Sequence, residues 1–272
     1  MLDTVYDEAV MDKALIRESF NRAAASYDRW ALLQRRVGER LMDLLPSDCL
    51  KGRTILDLGS GTGYCARRLE KTRAHCINLD LAHAMLLRAR GFGRHPHSYL
   101  CADAESLPIR DRSLDWVFSN LMLQWCPNPE RAFHEAFRAL KPGGTLIFST
   151  LGPKSLCELR AAWACVDSAS HVQVFSGIAE TRDWIARSGL ETKFIGQEWM
   201  RMKYDNVLHL MHELKGIGAH NLTSKRPRSL TGKGKIERMI AAYPTPHAGP
   251  LIRATFEVIL GRCERPKRAD AD

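Results

Sequence analysis

The residues best suited to bind a small molecule lie in one short stretch, Asp57-Leu58-Gly59-Ser60-Gly61-Thr62-Gly63. Three glycines at alternate positions after an apolar run indicate a sharply turning backbone whose bare peptide groups can lie against a ligand. The spacing differs from the G-x-G-x-x-G of proteins that bind nicotinamide or flavin dinucleotides, which makes those cofactors the weaker interpretation. An ordinary glycine turn between a strand and a helix is the alternative.

Three further polar positions follow apolar runs downstream of this loop. Asp80 lies about 20 residues past the glycines, the offset at which a nucleotide-binding α/β fold places a carboxylate on ribose hydroxyls. Asp103 and Asn120 come directly after the next two runs. Because ligands of open parallel sheets bind at the carboxyl ends of the strands, we expect these side chains to meet in one site.

The elements that must position these residues can be read from the hydrophobic pattern. Five apolar runs alternate with helical segments, which predicts a parallel sheet covered by helices, and two later runs are predicted to be a sixth strand and a final strand that returns beside it. The fold class is therefore α/β, a Rossmann-like, mostly parallel seven-stranded sheet with helices on both faces. The predicted strands are Thr54–Leu58, Ala74–Leu79, Ser98–Ala102, Leu114–Ser119, Thr145–Thr150, Thr192–Trp199 and Thr255–Leu260.

The rest of the chain predicts helical extensions around this core. We expect an N-terminal helical cap, the ligand-binding core, a helical segment on the substrate side, two last strands interrupted by a basic helical insertion, and a frayed tail. The helical insertions are predicted to form a lid. The predicted bounds are 1–50 for the cap, 51–152 for the core, 153–190 for the helical segment, 191–262 for the last strands with the insertion at about 204–243, and 263–272 for the tail.

Composition excludes some classes of protein. The chain has 272 residues, of which 45% are hydrophobic, enough to bury a large core. No apolar stretch approaches the about 20 residues that a membrane span needs, and the acidic N-terminus Met1–Glu8 lacks the layout of a signal peptide. The eight cysteines are scattered without a C-x-x-C pair, so we expect buried thiols in a reducing cytoplasm and no metal site.

Basic residues are concentrated between Lys203 and Arg238, in a chain whose net charge is +9. An acidic protein partner or a nucleic acid would fit such a patch, and a solvated face without a partner is the third interpretation. Few aromatic residues interrupt the stretch, which disfavours single-stranded RNA because the stacking platforms are missing.

In their order and spacing these features resemble class I S-adenosylmethionine (SAM) methyltransferases, and Leu140–Gly144 resembles the L-K-P-G-G turn of that family. The resemblance implies that the glycine loop runs under the methionine part of SAM, that Asp80 contacts the ribose, and that Asp103 and the amide of Ala104 read the adenine. Asn120 would lie close to the sulfonium. Asp57 would contact the methionine amino group through water, or else cap amides of the loop. The implied SAM-binding residues are Asp57, Gly59, Gly61, Gly63, Asp80, Leu81, Asp103, Ala104 and Asn120.

Outside the core, the chain is similar to a narrower family, the malonyl-acyl-carrier-protein O-methyltransferases of biotin biosynthesis. This similarity spans nearly the whole chain, and it implies SAM-dependent methylation of the free carboxylate of a malonyl thioester, on a carrier protein or coenzyme A, as the first step of pimeloyl formation. Two stretches of the insertion, Leu214–Ala219 and Leu230–Gly232, discriminate this family from other methyltransferases. The other similar segments are Phe20–Asp28, Ser119–Leu121, Gln124–Cys126, Phe148–Pro153 and Thr255–Val258.

The same resemblance implies roles for three catalytic residues, Tyr27, Asn120 and Arg160. Tyr27 would close over the active site, with helix packing as the alternative, and Arg160 would hold the substrate carboxylate, with a solvated helix surface as the alternative. An acidic carrier protein would dock on the insertion, through Lys215, Lys225, Arg226 and Arg228. His209 and His212 share a helical face, where a plain surface is preferred over a base or ligand pair.

Other functions remain open. A SAM methyltransferase for another small molecule or for RNA would share the core but differ in its lid. A SAM-binding assembly or regulatory protein without transfer activity would bind the cofactor alone. Nucleic acid is the less favoured partner, and no membrane association is expected.

Overall fold

Seven strands form the centre of the protein in a computed structural model that describes residues 11–45, 50–69, 72–92, 97–219, 232–244 and 250–267. The strands are β1 (Thr54–Leu58), β2 (His75–Asp80), β3 (Ser98–Cys101), β4 (Leu114–Asn120), β5 (Leu140–Leu151), β6 (Glu191–Tyr204) and β7 (Ile252–Glu264). Their order in the sheet is β3-β2-β1-β4-β5-β7-β6. Only β7 runs antiparallel to its neighbours in this sheet. The predicted seven-stranded, mostly parallel sheet is confirmed.

Helices connect the strands and extend beyond them. In the described residues they are α1 (Lys13–Ala23), α2 (Tyr27–Trp30), α3 (Leu32–Met42), α4 (Tyr64–Leu69), α5 (His83–Phe92), α6 (Pro129–Ala139), α7 (Cys157–Ala164), α8 (Ile178–Ser188), α9 (Val207–Gly216) and α10 (Lys233–Ala242). A short 3₁₀ turn, Leu123–Trp125, follows β4.

Side chains along each strand point alternately to the two faces of the sheet, and each face is covered by its own layer of the hydrophobic core. Ile55 of β1 is buried in one layer with Val37 of α3, whereas its neighbour Leu56 is buried in the other layer with Phe133 of α6. Successive side chains of a strand point to opposite faces of a sheet, so both faces must be covered. The predicted helices on both faces are therefore confirmed.

Several helix ends follow directly from local sequence. Asp12 accepts a hydrogen bond from the backbone N–H of Ala14 at 2.8 Å and caps α1. Asn206 caps α9 in the same way, through the N–H of His209 at 2.9 Å. Gly189 ends α8 in the left-handed conformation that glycine adopts without strain. The caps of α1 and α9 fix two helices that border the site.

The last three strands are longer than the sequence predicts. β5 begins at Leu140 because the predicted Leu140–Gly144 turn is instead an irregular start of the strand, in which Leu114 pairs with Leu140 and Trp116 with Thr145. β6 and β7 continue beyond their predicted ends because they pair with each other in an antiparallel ladder as far as Tyr204 and Ile252. The first insertion helix therefore starts at residue 207.

The structure also corrects the predicted tail at residues 263–272. Cys263 is fully buried in β7, and Arg265 is 7% exposed. The guanidinium of Arg265 donates hydrogen bonds to the carbonyls of Phe137, Arg138 and Leu140. These bonds satisfy carbonyls at the end of α6, so residues up to Arg265 belong to the fold. Residues 268–272 lie outside the described part of the chain.

Candidate active site

A cavity of about 780 Å³ lies at the carboxyl ends of the parallel strands. It is covered by α1, α2, α9 and residues 217–219, which we call the lid. The cavity brings together most of the predicted site residues, but Asp57, Gly63 and Arg160 are not among the residues that line it. The predicted residues in the lining are Tyr27, Gly59, Gly61, Asp80, Leu81, Asp103, Ala104 and Asn120.

The glycine loop follows β1 and is held against β2. The N–H groups of Gly59 and Ser60 both donate to the carbonyl of Leu79, at 2.8 and 2.9 Å. Gly59 and Gly61 have φ of +77° and +54°, in the left-handed region where other residues are strained. A Cβ on Gly59 would lie 2.3 Å from Cγ of Met122. Both glycines are therefore required by the backbone, and both leave peptide groups facing the cavity.

Gly63 and Asp57 support the loop from outside the cavity. A Cβ on Gly63 would lie 3.0 Å from Cβ of Ala89, so this glycine lets the loop pack on α5. Asp57 is 2% exposed, and its Oδ2 has no hydrogen-bond partner among the described residues. Burial, and then the nearby Asp80, raise the pKa of Asp57 to about 7, although the backbone N–H of Ala66 in α4 lowers it. The position suits a carboxyl that fixes the start of α4, and the predicted contact with the cofactor stays a prediction.

Asp80 ends β2 with both carboxylate oxygens engaged by backbone. Oδ2 accepts the N–H of Gly61 and Oδ1 that of Ala82, each at 2.8 Å. Burial raises the pKa of Asp80 to about 6, although these N–H groups lower it. Because a carboxylate offers about four acceptor positions, Asp80 can still accept two hydroxyl groups from the cavity. It both shapes the loop and presents acceptors beside it.

Asp103 is linked to the lid by a lysine that the sequence did not indicate. Nζ of Lys13, in α1, lies 2.6 Å from Oδ2 of Asp103 and 2.8 Å from Oε2 of Glu105. Both acids line the cavity, as does Lys13 itself. The N-terminal helix therefore covers the position at which the resemblance places the adenine. No local signal marks Lys13, because its partners are 90 and 92 residues away.

Tyr27 covers the glycine loop from α2. Its Cε1 would lie 3.8 Å from a Cβ on Gly61, and the ring lines the cavity. Burial, and then Asp80, raise the pKa of the Tyr27 hydroxyl, which therefore stays neutral. The location fits the predicted closure over the site, and a catalytic role stays a prediction.

The two parts of the lid are packed on each other through glycines. The hydroxyl of Ser26 donates to the carbonyl of Gly216 at 2.9 Å, and that of Ser19 to the carbonyl of Gly218 at 3.0 Å. A Cβ on Gly216 would lie 2.2 Å from Cδ1 of Trp30. The discriminating Leu214–Ala219 segment therefore serves to seat α9 on the N-terminal helices.

Asn120 is fixed at the end of β4. Its Nδ2 donates to the carbonyl of Gln34 at 2.9 Å, and its Oδ1 accepts the hydroxyl of Ser149 at 2.9 Å. Its side chain thus joins α3 to β5 at the cavity wall.

The structure places Arg160 outside the cavity lining, and its predicted contact with the substrate stays a prediction. The guanidinium donates to the carbonyls of Pro153, Ser155 and Gln173, at 2.9, 3.3 and 3.2 Å. These bonds join the two segments that flank α7, while the buried Nε has no hydrogen-bond partner in the described part of the chain. Arg160 is half-buried, and it positions the chain that carries Gln173.

The insertion contributes three polar residues of α9 to the cavity lining, the exposed His212 and Lys215 and the buried Glu213. His209 lies apart from them, with Nδ1 3.1 Å from Oδ2 of Asp205 and its ring against Trp30. The two histidines therefore do not act as a pair. The predicted docking residues Lys225, Arg226 and Arg228 lie outside the described residues.

Comparison with known proteins assigns the family. A methyltransferase-domain family matches residues 56–148. The malonyl-[acyl-carrier protein] O-methyltransferase of Laribacter hongkongensis is 41% identical over 94% of this chain and 90% of its own length. That of a Methylovorus species is 38% identical over 96% of this chain and 92% of its own.

The chain belongs to the malonyl-[acyl-carrier protein] O-methyltransferase family. It is a SAM-dependent methyltransferase, and SAM is its cofactor. A solved SAM-dependent methyltransferase from Mesorhizobium loti has the same fold, with a TM-score of 0.53 at 21% identity, covering 84% of this chain and 96% of the other.

The methyltransferase cavity suits SAM on its own geometry. Gly59 and Gly61 keep side chains out of the space above the loop, where a Cβ on Gly59 would already collide with Met122. Asp80 and Asp103 present carboxylate acceptors for hydroxyl and amino groups in the same cavity. These four residues would hold the methionine, ribose and adenine parts.

Within the described ranges, no three His, Cys, Asp or Glu side chains come together as a metal ion would require. No helix in the described part of this methyltransferase is long and apolar enough to span a membrane.

Proposed function

We propose that the protein transfers the methyl group of SAM to the free carboxylate of a malonyl thioester carried on an acyl-carrier protein, the first step of pimeloyl formation in biotin biosynthesis. The observation that carries the proposal is similarity over nearly the whole chain to relatives named for this reaction, at 38% and 41% identity. That similarity includes the lid, where substrate specificity must lie. We include a cytoplasmic location in the proposal, as the scattered cysteines suggest.

The chemistry demands little of the protein beyond placement. An ordinary carboxyl group has a pKa of about 4, so a malonyl carboxylate is ionised at neutral pH and no base has to remove a proton. When bound, SAM supplies an electrophilic methyl group on a positively charged sulfur. The residues of the chain must then orient the carboxylate and exclude water from it.

The lid supplies apolar surface for that purpose. Phe20 of α1 packs edge-on against Trp125, with ring centroids 5.2 Å apart, and both line the cavity. Leu159 of α7 and Met211 of α9 line the cavity as well. A carboxylate enclosed among such side chains loses hydration and becomes a stronger nucleophile toward a cation.

Incubation with labelled SAM and malonyl-carrier protein tests the reaction directly. We expect an alkali-labile methyl ester, and no product from acetyl-carrier protein, because it lacks the free carboxylate. Methylation of acetyl-carrier protein, of RNA or of a nitrogen nucleophile in place of the ester would overturn the proposal. Cofactor binding without any transfer would identify a SAM-binding protein of another kind.

For the partner, we propose that the acidic carrier protein docks on the basic insertion through Lys215, Lys225, Arg226 and Arg228. Lys215 supports this, since it is exposed and also lines the cavity. Opposite charges steer encounter, so reversing Lys215 and Arg226 to Glu should slow methylation most at low salt, where the Debye length is about 30 Å at 0.01 M.

A matched charge reversal separates docking from net charge. Lys51 is exposed in the turn before β1, at the opposite edge of the sheet from the cavity. Lys51→Glu should leave the salt dependence unchanged. Equal rates for the double variant and the wild type at all salt concentrations would show that the basic stretch is a solvated face.

A further inference from the structure

The finding that Arg160 is bound to backbone leaves the proposed substrate carboxylate without a cation. Among the described lining residues, the basic side chains are Lys13, His171, His212 and Lys215. Lys13 is paired with two carboxylates, and His212 and Lys215 are exposed on the lid. His171, in contrast, has a side chain that is 9% exposed.

His171 is held in one orientation by two neighbours. Its Nε2 lies 2.8 Å from Oδ1 of Asp167, and its ring stacks on Trp163 with centroids 3.8 Å apart and an interplanar angle of 10°. Within the described residues, no hydrogen bond is formed by Nδ1. A carboxylate beside an imidazole fixes the orientation of the ring. Both ring nitrogens are donors in a protonated imidazole, and in that form the Nδ1 N–H of His171 is available to a ligand.

The charges around His171 suit an anion. Nζ of Lys235, in α10, lies 2.7 Å from the other oxygen of Asp167. A protonated His171, Asp167 and Lys235 therefore carry a net charge of +1 beside the cavity. A single N–H also binds only one oxygen of a carboxylate, which leaves the second oxygen free to accept a methyl group.

The segment that carries His171 is anchored near the reaction site. Nε2 of Gln173 donates to the carbonyl of Gln124 at 2.7 Å, and Gln124 lies in the 3₁₀ turn that follows Asn120 and β4. Arg160 holds the carbonyl of Gln173 from the other side. The segment that carries His171 is thus tied through Gln173 to the turn that follows β4.

We infer that His171, oriented by Asp167 and Trp163, binds the free carboxylate of the acyl substrate and sets the preference for it. The inference rests on the proposed function, because it assumes a carboxylate substrate. Arg160 then acts as a positioning residue for the same segment.

The test compares His171→Gln with the wild type. We expect KM for malonyl-carrier protein to rise about ten- to hundredfold, the scale of losing one charged hydrogen bond, with SAM affinity unchanged by calorimetry. Acetyl-carrier protein, used as a competitive inhibitor, should bind the variant and the wild type alike. The preference for malonyl- over acetyl-carrier protein, measured as the ratio of the two affinities, should therefore be lost only in the variant.

A second histidine offers a matched control. His209 is also paired with a carboxylate four residues away and packed on an aromatic ring, but it does not line the cavity. His209→Gln should leave KM and the malonyl-to-acetyl ratio unchanged. If His171→Gln fails to bind SAM and is therefore misfolded, Asp167→Asn keeps the ring and should still raise KM, by a smaller factor.

The outcomes separate the two proposals. A wild type that methylates malonyl-carrier protein while His171→Gln keeps its KM and its selectivity would overturn the role of His171 alone, as would an unchanged KM in Asp167→Asn. A wild type that binds malonyl- and acetyl-carrier protein equally and forms no ester would overturn the proposed function and this role together.

Discussion

The cofactor side of the cavity and its lid are built by contacts of different range. On the cofactor side, Gly61 bonds to Asp80, 19 residues away, at adjacent strand ends. In the lid, Ser26 bonds to Gly216 and Ser19 to Gly218, across 190 and 199 residues. Short-range contacts are set by one motif, whereas the lid requires the whole chain to have folded. A substitution on the cofactor side should therefore act on SAM, and one in the lid on stability and the acyl substrate.

The largest effect that this difference predicts is at Gly61. In Gly61→Val, SAM binding should weaken by more than about 2 kcal/mol, because valine would fill space in the cavity that the cofactor needs. The left-handed backbone costs the side chain a further ~1–2 kcal/mol, which lowers the stability of the fold. Calorimetric titration with SAM measures the affinity. Gly52, with φ of +74° and no atom within 4 Å of a Cβ, is the control. Gly52→Val should carry the same strain yet keep SAM affinity, and a loss there too would mean that strain, not the cavity, is responsible.

A smaller effect is expected at Gly216, which lies in the lid. Its Cβ would press on Trp30, and such overpacking costs about 1–3 kcal/mol. Gly216→Ala should lower Tm and raise KM for the acyl substrate through the displaced α2. Gly234→Ala, in α10 with open space around it, should be neutral or stabilising. Equal melting temperatures for Gly216→Ala and the wild type would show that the lid contact tolerates a methyl group.

The smallest effect concerns Asp57, whose pKa is raised by burial from 3.8 to about 7. Between these values the unfolded chain binds fewer protons than the folded one, so the free energy of unfolding falls as pH rises from about 4 to about 7. In Asp57→Asn the fall in the free energy of unfolding between pH 5 and pH 8 should be smaller than in the wild type, by on the order of 1 kcal/mol. Denaturant unfolding at both pH values measures the difference, and calorimetric titration of the same variant with SAM tests the predicted contact between Asp57 and the cofactor.

Asp115 provides the opposite case for that measurement. Burial raises the pKa of Asp115, but the N–H of Thr54 and the ammonium of Lys141 outweigh it and lower this pKa below 3.8. Its contribution to stability is therefore present above about pH 4 and is lost only at lower pH. Asp115→Asn should cost the same at pH 5 and pH 8. If the free energy of unfolding depended on pH in the same way in Asp115→Asn and Asp57→Asn, the lowered pKa of Asp115 and the raised pKa of Asp57 would both be contradicted.

The range of the contacts also explains what the sequence could predict. β1, the glycine loop and the acid after β2 were predicted because each is a local pattern of apolar runs and turn residues. The left-handed φ of Gly59 and Gly61 is part of the same local signal. The end of β6, residues 200–204, was not predicted, although Met202 and Tyr204 alternate with exposed residues there. What extends this strand is its pairing with Ile252–Phe256 of β7, about 50 residues further along the chain.

The partners of single side chains could not be predicted. The sequence names Arg160 as a cation but gives no sign that the carbonyls of Pro153, Ser155 and Gln173 surround it. His171 was not singled out, because its stacking on Trp163 depends on how the chain folds back after α7, and the charge of Lys235 arrives only with α10. Such roles depend on neighbours that only the folded chain brings together, and they leave no periodic pattern in the sequence.

The place of β7 determines when the protein can mature during synthesis. β7 is the last strand in chain order, yet it lies between β5 and β6. A nascent chain that ends before residue 252 therefore exposes unpaired edges of both strands, a state prone to association with other chains. The chain up to Glu264 must leave the ribosome before the sheet closes, so chaperone demand and the timing of translation bear on this enzyme more than on one whose last strand adds at an edge.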